Sequence, residues 1–129
     1  MPFRASAAKL EPMTNMVNAG WVMPEDLHHL TRTGGRSVVV ELIDLFKQDV
    51  AKRLQALRHS VNTGDLSAAA AQAHTIKGSA IQMGAHNLVT TCRHLELDAS
   101  HNVIENLERL LAEAEAELRV LQTSMQNPK

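Results

Sequence analysis

Val39, Leu42, Ile43, Phe46, Val50, Leu54, Leu57 and Val61 follow one another mostly at steps of three and four. That spacing is the apolar stripe of a long amphipathic helix. A helix of this kind draws its stability from packing, so its stripe must be covered by other helices or by a sheet. The rest of the chain offers no sheet. Val38-Val39-Val40 is the one β-branched cluster, and it opens the helical stripe instead of alternating.

Further stripes supply the cover. Leu66, Ala69, Ala73, Ile76, Ala80 and Met83 repeat the spacing behind Asp65, a residue suited to cap a helix. Leu88, Cys92 and Leu95 form a shorter third stretch. Val103, Ile104, Leu107, Leu110, Leu111, Ala114, Leu118 and Leu121 form the last. Ser37 suits the cap of the longest helix. Asn102 with Glu105 resembles a capping box at the start of the last one, with Ser100 as an alternative cap. Glu105–Arg109 and Glu115–Arg119 have the spacing of supporting ion pairs on its wet side. Asn62-Thr63-Gly64, Gly84 and Asp98–His101 read as the connections. A short helix over 24–33 opens with Pro24-Glu25-Asp26, ends at Gly34-Gly35, and covers one end. The predicted fold is all-α: an antiparallel up-down four-helix bundle with a short extra N-terminal helix. Residues 1–22 read as an N-terminal arm, 23–124 as the bundle and 125–129 as a polar tail.

Composition excludes several functions. Thirteen basic against fourteen acidic residues leave a net charge of −1, which suits neither a nucleic-acid nor a membrane-surface binder. Cys92 is the single cysteine, so no intrachain disulfide forms, and a buried free thiol acts as a small apolar filler. No apolar run approaches the roughly 18 residues of a membrane span, and no secretory signal is visible. We expect a cytoplasmic monomer. His28, His29, His59, His86, His94 and His101 make none of the pairings that hold metal in helical bundles. No metal and no cofactor are expected.

One run stands out: A-H-T-I-K-G-S-A, residues 73–80. A glycine inside an alanine-rich helix costs about 1 kcal/mol relative to alanine. On a helical projection His74 lies off the core stripe. Its neighbours on the same strip are Ser67, Ala70, Ala71, Lys77, Gly78 and Ile81, most of them small. The ring therefore stands above bare helix, where another macromolecule can reach it. Lys77, one turn on, does not help a protonated imidazole, because like charges repel. It does help an imidazole that carries a phosphoryl group, with its strong acceptor oxygens and about two negative charges. Gly78, on the next turn from His74, keeps side-chain atoms away from the reacting group. Tight helix packing is the competing reason for a glycine there.

A second residue is placed by counting from the turn at Gly84. His74 stands ten residues before it and Glu96 twelve after it. At ~1.5 Å per residue the two lie at nearly one height on neighbouring antiparallel helices. Glu96 can then accept from the ring N–H nearer the backbone and leave the outer nitrogen free to attack. Arg93 and His94 lie at similar height, and Arg93 can add positive charge. A plain surface carboxylate is the alternative for Glu96.

The run from Ala73 to Glu96, with A-H-x-I-K-G-S, Gly84, the A-x-x-L after it and C-x-x-L-E, closely resembles the histidine-containing phosphotransfer (HPt) domain family. D-L-F-K-Q-D-V-A-K-R-L-Q-A-L and G-D-L extend the likeness loosely over residues 24–123. The resemblance implies a four-helix bundle that ferries a phosphoryl group. His74 would accept it from a receiver-domain aspartyl phosphate and pass it to another receiver. Lys77 would steady the phosphoryl, Gly78 would admit the partner and Glu96 would hold the ring. Ala70, Ala71, Ile81 and the segment 24–33 would form the docking surface. The implied partners are receiver domains of response regulators and hybrid sensor kinases. Any Mg²⁺ would sit on the receiver, and the chain would be a carrier, not an enzyme. No nucleotide loop or acidic metal cluster is visible in the sequence to do the chemistry alone. Two alternatives remain at this point. One is the phosphoacceptor domain of a chemotaxis-type histidine kinase, and the other is an adaptor bundle without chemistry. A start at Met1 and a polar end favour a stand-alone shuttle.

Overall fold

The computed structural model describes residues 21–125. The first twenty residues of the expected arm, and 126–129 of the tail, lie outside the described residues. The elements are α1 (Glu25–Arg32), α2 (Arg36–Thr63), α3 (Leu66–Met83), α4 (His86–Ser100) and α5 (Leu107–Ser124). Helices α2 to α5 each pack on the next and α5 closes back on α2, so they form the four-helix bundle; α1 lies against α2.

The stripes become the core. Val39, Ile43, Val50 and Leu57 of α2 are fully buried, as are Ala73, Ile76 and Ala80 of α3. Leu88, Cys92 and Leu95 of α4 meet them, with Leu111 and Ala114 of α5. The alanines on α3 matter for placement: small side chains at a helix interface let backbones approach closely. That brings α3 and α4 together along their length. On the opposite seam, Arg58 of α2 makes a two-pronged bond to Glu115 of α5 at 2.9 Å and a third bond to Glu108. A planar guanidinium suits that double contact.

Caps and turns set the frame. Asp65 Oδ1 accepts from the Ala68 amide at 3.1 Å, the expected N-cap of α3. Helices α2 and α3 both end on a left-handed glycine, Gly64 and Gly84. Gly84 is needed twice over. Its φ is +70°, and a Cβ there would meet Pro24 Cγ at 3.3 Å and the Val22 carbonyl oxygen at 3.6 Å. The segment before α1 thus crosses the α3–α4 turn. Trp21 completes the closure by donating its indole N–H to the Met83 carbonyl at 2.6 Å.

Several expectations change. Helix α2 begins at Arg36 behind Gly35 and has no side-chain cap, so Ser37 does not cap it. The last helix starts at Leu107, not near residue 102. Helix α4 runs on through Ser100, and the chain then turns through Asn102, at φ 59, with the Val103 amide bonded to the Asp98 carbonyl. Ile104 falls in this connection and is exposed. The capping box at Asn102–Glu105 therefore has no helix to cap. The predicted ion pairs on α5 are also re-partnered: Glu115 binds Arg58, and Arg109 binds Glu113. Met125, grouped with the tail by its sequence, is buried in the core, and Trp21 packs against the core cluster.

Candidate functional site

Helices α3 and α4, held close by alanines and by the turn at Gly84, carry the site. His74 projects from α3 with a side chain 66% exposed. Its Nδ1 lies 2.9 Å from Glu96 Oε2 on α4. The other oxygen of that carboxylate, Oε1, accepts from Lys77 Nζ at 2.7 Å. One carboxylate thus bridges the imidazole and the ammonium. The height matching of His74 and Glu96 across the turn is met in the structure.

The charges in this triangle fix the proton. Glu96 is held below the usual carboxylate range, chiefly by the hydrogen bond from Lys77, with a smaller contribution from His74 and against the opposing effect of partial burial. It is therefore an acceptor at neutral pH, and Nδ1 must be the donor. A neutral ring with its proton on Nδ1 has its lone pair on Nε2, the nitrogen away from Glu96. A ring held this way can act as a nucleophile through Nε2 without an internal base.

Lys77 lies on the inner side of the triangle. Its side chain is turned inward and only 22% exposed, and its ammonium is committed to Glu96. Among the strip residues, Ala71, Gly78 and Ile81 are exposed, whereas Ala70 is half-buried against the core. At Gly78 the packing alternative finds no support. A Cβ at that position would meet nothing within 4 Å. No contact inside the described fold requires the glycine.

Two features escaped the sequence reading. Farther along α3, a shallow apolar groove runs between α1, α2 and α3, lined by Leu27, Leu42, Leu45, Phe46 and Met83. Leu42 was assigned to the core stripe but is 42% exposed, and Leu45 is 57% exposed. A leucine at 45, off the stripe of an otherwise regular helix, was the available signal. The second feature lies on the opposite flank of α4. Glu117 of α5 is partly buried there beside a small cavity lined by Ala85, Leu88, Val120 and Leu121. Its Oε2 accepts from Thr91 Oγ1 at 2.9 Å, and its Oε1 is buried with no partner among the described residues. Burial pushes this carboxyl up to about 7, and neighbouring Glu113 acts in the same direction. Cys92, between the two flanks, is fully buried, and burial pushes its thiol up to about 12, so it is inert filler as expected.

Among the described residues no group of three His, Cys, Asp or Glu side chains is placed to hold a metal ion, and no helix is long and apolar enough to cross a membrane.

Comparison with known proteins agrees with this geometry. A family model described as the Hpt domain matches residues 41–126. Histidine-containing phosphotransfer protein 2 of Arabidopsis thaliana is 27% identical over 105 residues, spanning 79% of this chain and 67% of the plant protein. Among solved structures, histidine-containing phosphotransfer protein B from Pseudomonas aeruginosa PAO1 superposes with a TM-score of 0.70. At 23% identity, over 82% of this chain and 96% of that one, it is a likeness of fold.

Proposed function

This chain belongs to the Hpt domain family, and we propose that His74 is its phosphoryl acceptor and that receiver domains are its partners. The protein is a histidine phosphotransfer protein of a phosphorelay. The single observation that carries the assignment to His74 is the bridging carboxylate. Glu96 holds the Nδ1 proton of an exposed ring and so leaves Nε2 free to attack.

The proposed step balances simply. Nε2 attacks the phosphorus of a receiver's aspartyl phosphate. The N–P bond forms as the P–O bond to the aspartate breaks, and the carboxylate leaves with the electron pair. The ring then carries positive charge, which Glu96 offsets through the Nδ1 proton it already holds. The second receiver's aspartate reverses the sequence and regenerates His74. Positioning and charge neutralisation supply what phosphoryl transfer needs. The receiver brings Mg²⁺ and its acidic pocket, and the chain acts as a carrier without kinase or phosphatase machinery of its own. Gly78, Ala71 and Ile81 form the near docking surface, and the groove at Leu42 and Leu45 continues it.

The test is transfer of labelled phosphate from a phosphorylated receiver domain. The wild type acquires label that is acid-labile and alkali-stable, and His74→Gln acquires none. Label retained in His74→Gln would remove the assignment to His74.

A further inference from the structure

The phosphorylated site needs more positive charge than the triangle can give. A phosphoryl group brings about −1.5 to −2 charges at neutral pH. It would be attached at Nε2, on the outer side of an exposed ring. Glu96 is already anionic, and Lys77 is the cation that neutralises it, through a 2.7 Å bond on the inner side. Lys77 keeps two further N–H donors, but it is half-buried against Glu96, and the ring gains only one unit of positive charge against the phosphoryl's about two.

Several other cations are already committed. Arg53 binds Asp49 and Gln72, on the α2 side of α3. Arg32, Arg58 and Arg109 are each paired with a carboxylate. His94, two residues before Glu96, is turned by about 200° to the α5 flank of α4. Arg93 is different. It is exposed on α4, and among the described residues its guanidinium has no carboxylate partner. Three residues before Glu96, it lies about 4.5 Å along the axis and about 60° farther from the core on the same flank. That places it beside His74's outer face, level with the next turn of α3.

We infer that Arg93 is the cation that meets the phosphoryl group on His74, while Lys77 remains with Glu96. This rests on the phosphocarrier reading of His74. A guanidinium suits the task because its planar fork can bind two phosphoryl oxygens at once. Arg93 is thus the residue that touches the transferred group, and Lys77 positions it indirectly by holding Glu96.

The experiment uses the full chain and two donors: a phosphorylated receiver domain and phosphoramidate, a small reagent that phosphorylates imidazole with loss of ammonia. Arg93→Ala should accept phosphate from the receiver about tenfold more slowly than wild type, with Arg93→Lys between them. The ³¹P signal of the phosphohistidine should titrate at higher pH in Arg93→Ala than in wild type, because a neighbouring cation favours the dianion. A merely structural residue would not move that titration, and the thermal midpoint should be unchanged. If wild type takes label but Arg93→Ala matches it in both rate and ³¹P titration, the inference about Arg93 fails and the reading of His74 stands. If wild type takes no label from receiver domains, both fail.

Discussion

Two glutamates flank α4, and their settings differ in almost every respect. Glu96, on the α3 side, is partly exposed and accepts from an ammonium and an imidazole. Glu117 approaches from α5 on the other side, accepts one hydroxyl, and keeps its second oxygen buried without a partner among the described residues. Burial raises the affinity of Glu117 for a proton, while the Lys77 ammonium lowers that of Glu96. The same side chain is thus a fixed anion on one flank and a near-neutral acid on the other. Environment sets the state, and the state sets the use. A charged carboxylate can orient a nucleophile, whereas an uncharged one can stay in a helix seam at small cost.

The contrast breaks most visibly at Glu96. Glu96→Ala removes the acceptor that fixes the ring and frees Lys77 to approach His74. Labelling of His74 should fall by up to about 100-fold, the scale of a misplaced reacting group. Stability should change by less than about 1 kcal/mol, because the ion pair is near the surface. If Glu117→Gln slowed labelling to a similar degree, the two flanks would be coupled and the comparison would not hold.

The next effect is a pH dependence of opposite sign on the two flanks. Glu96 has a lowered folded value, so its contribution is present above the usual carboxylate value of about 4.3 and is lost as pH falls through the folded value. Glu117 has a folded value of about 7, above the unfolded one. Its contribution is complete below about 4.3, declines as pH rises toward 7, and changes no further above that. Glutamine at 117 mimics the protonated acid and does not titrate. Glu117→Gln should therefore match wild type near pH 4 and exceed it by about 1 kcal/mol at pH 7.5, after discounting for partial exposure. Denaturant midpoints of both proteins from pH 4 to 8 test this; a difference that stays constant with pH would show that Glu117 keeps an ordinary affinity for its proton.

The site flank was the more legible of the two. A tight turn at Gly84 fixes the relative height of α3 and α4, so counting from it was enough to bring His74 and Glu96 together. The partner of Lys77 was not legible, because spacing alone does not rank a fixed carboxylate against an incoming phosphate. On the seam flank, Ala114, Leu118 and Leu121 read correctly as core, but nothing in the spacing marked Glu117 between them as buried. Its burial depends on how α5 rotates against α4, which no local pattern states. The start of α5 was misplaced for a related reason. Val103 and Ile104 continue its apolar spacing, yet α4 runs to Ser100 and the chain spends the next residues turning. Leu42 read as core and turned out exposed, because α1 and α3 leave that side of α2 as an open groove.

Gly78 asks whether the site flank carries a cost for access. Glycine within a helix is less stable than alanine by about 0.5–1 kcal/mol, through backbone entropy. At Gly78 the added Cβ would meet nothing within 4 Å, so there is no packing penalty to set against that gain. Gly78→Ala should therefore raise stability by about 0.5–1 kcal/mol, seen as a higher denaturant midpoint with an unchanged slope. Labelling by phosphoramidate should be unaffected, since so small a donor has room beside a methyl group. Transfer from a receiver domain should slow, because the partner's backbone must approach the strip that the methyl now raises. The two donors separate the explanations. Slowing with both would mean that the methyl disturbs His74 itself, and slowing with neither would mean that partners do not approach over Gly78. Destabilisation would show that the glycine serves the fold after all.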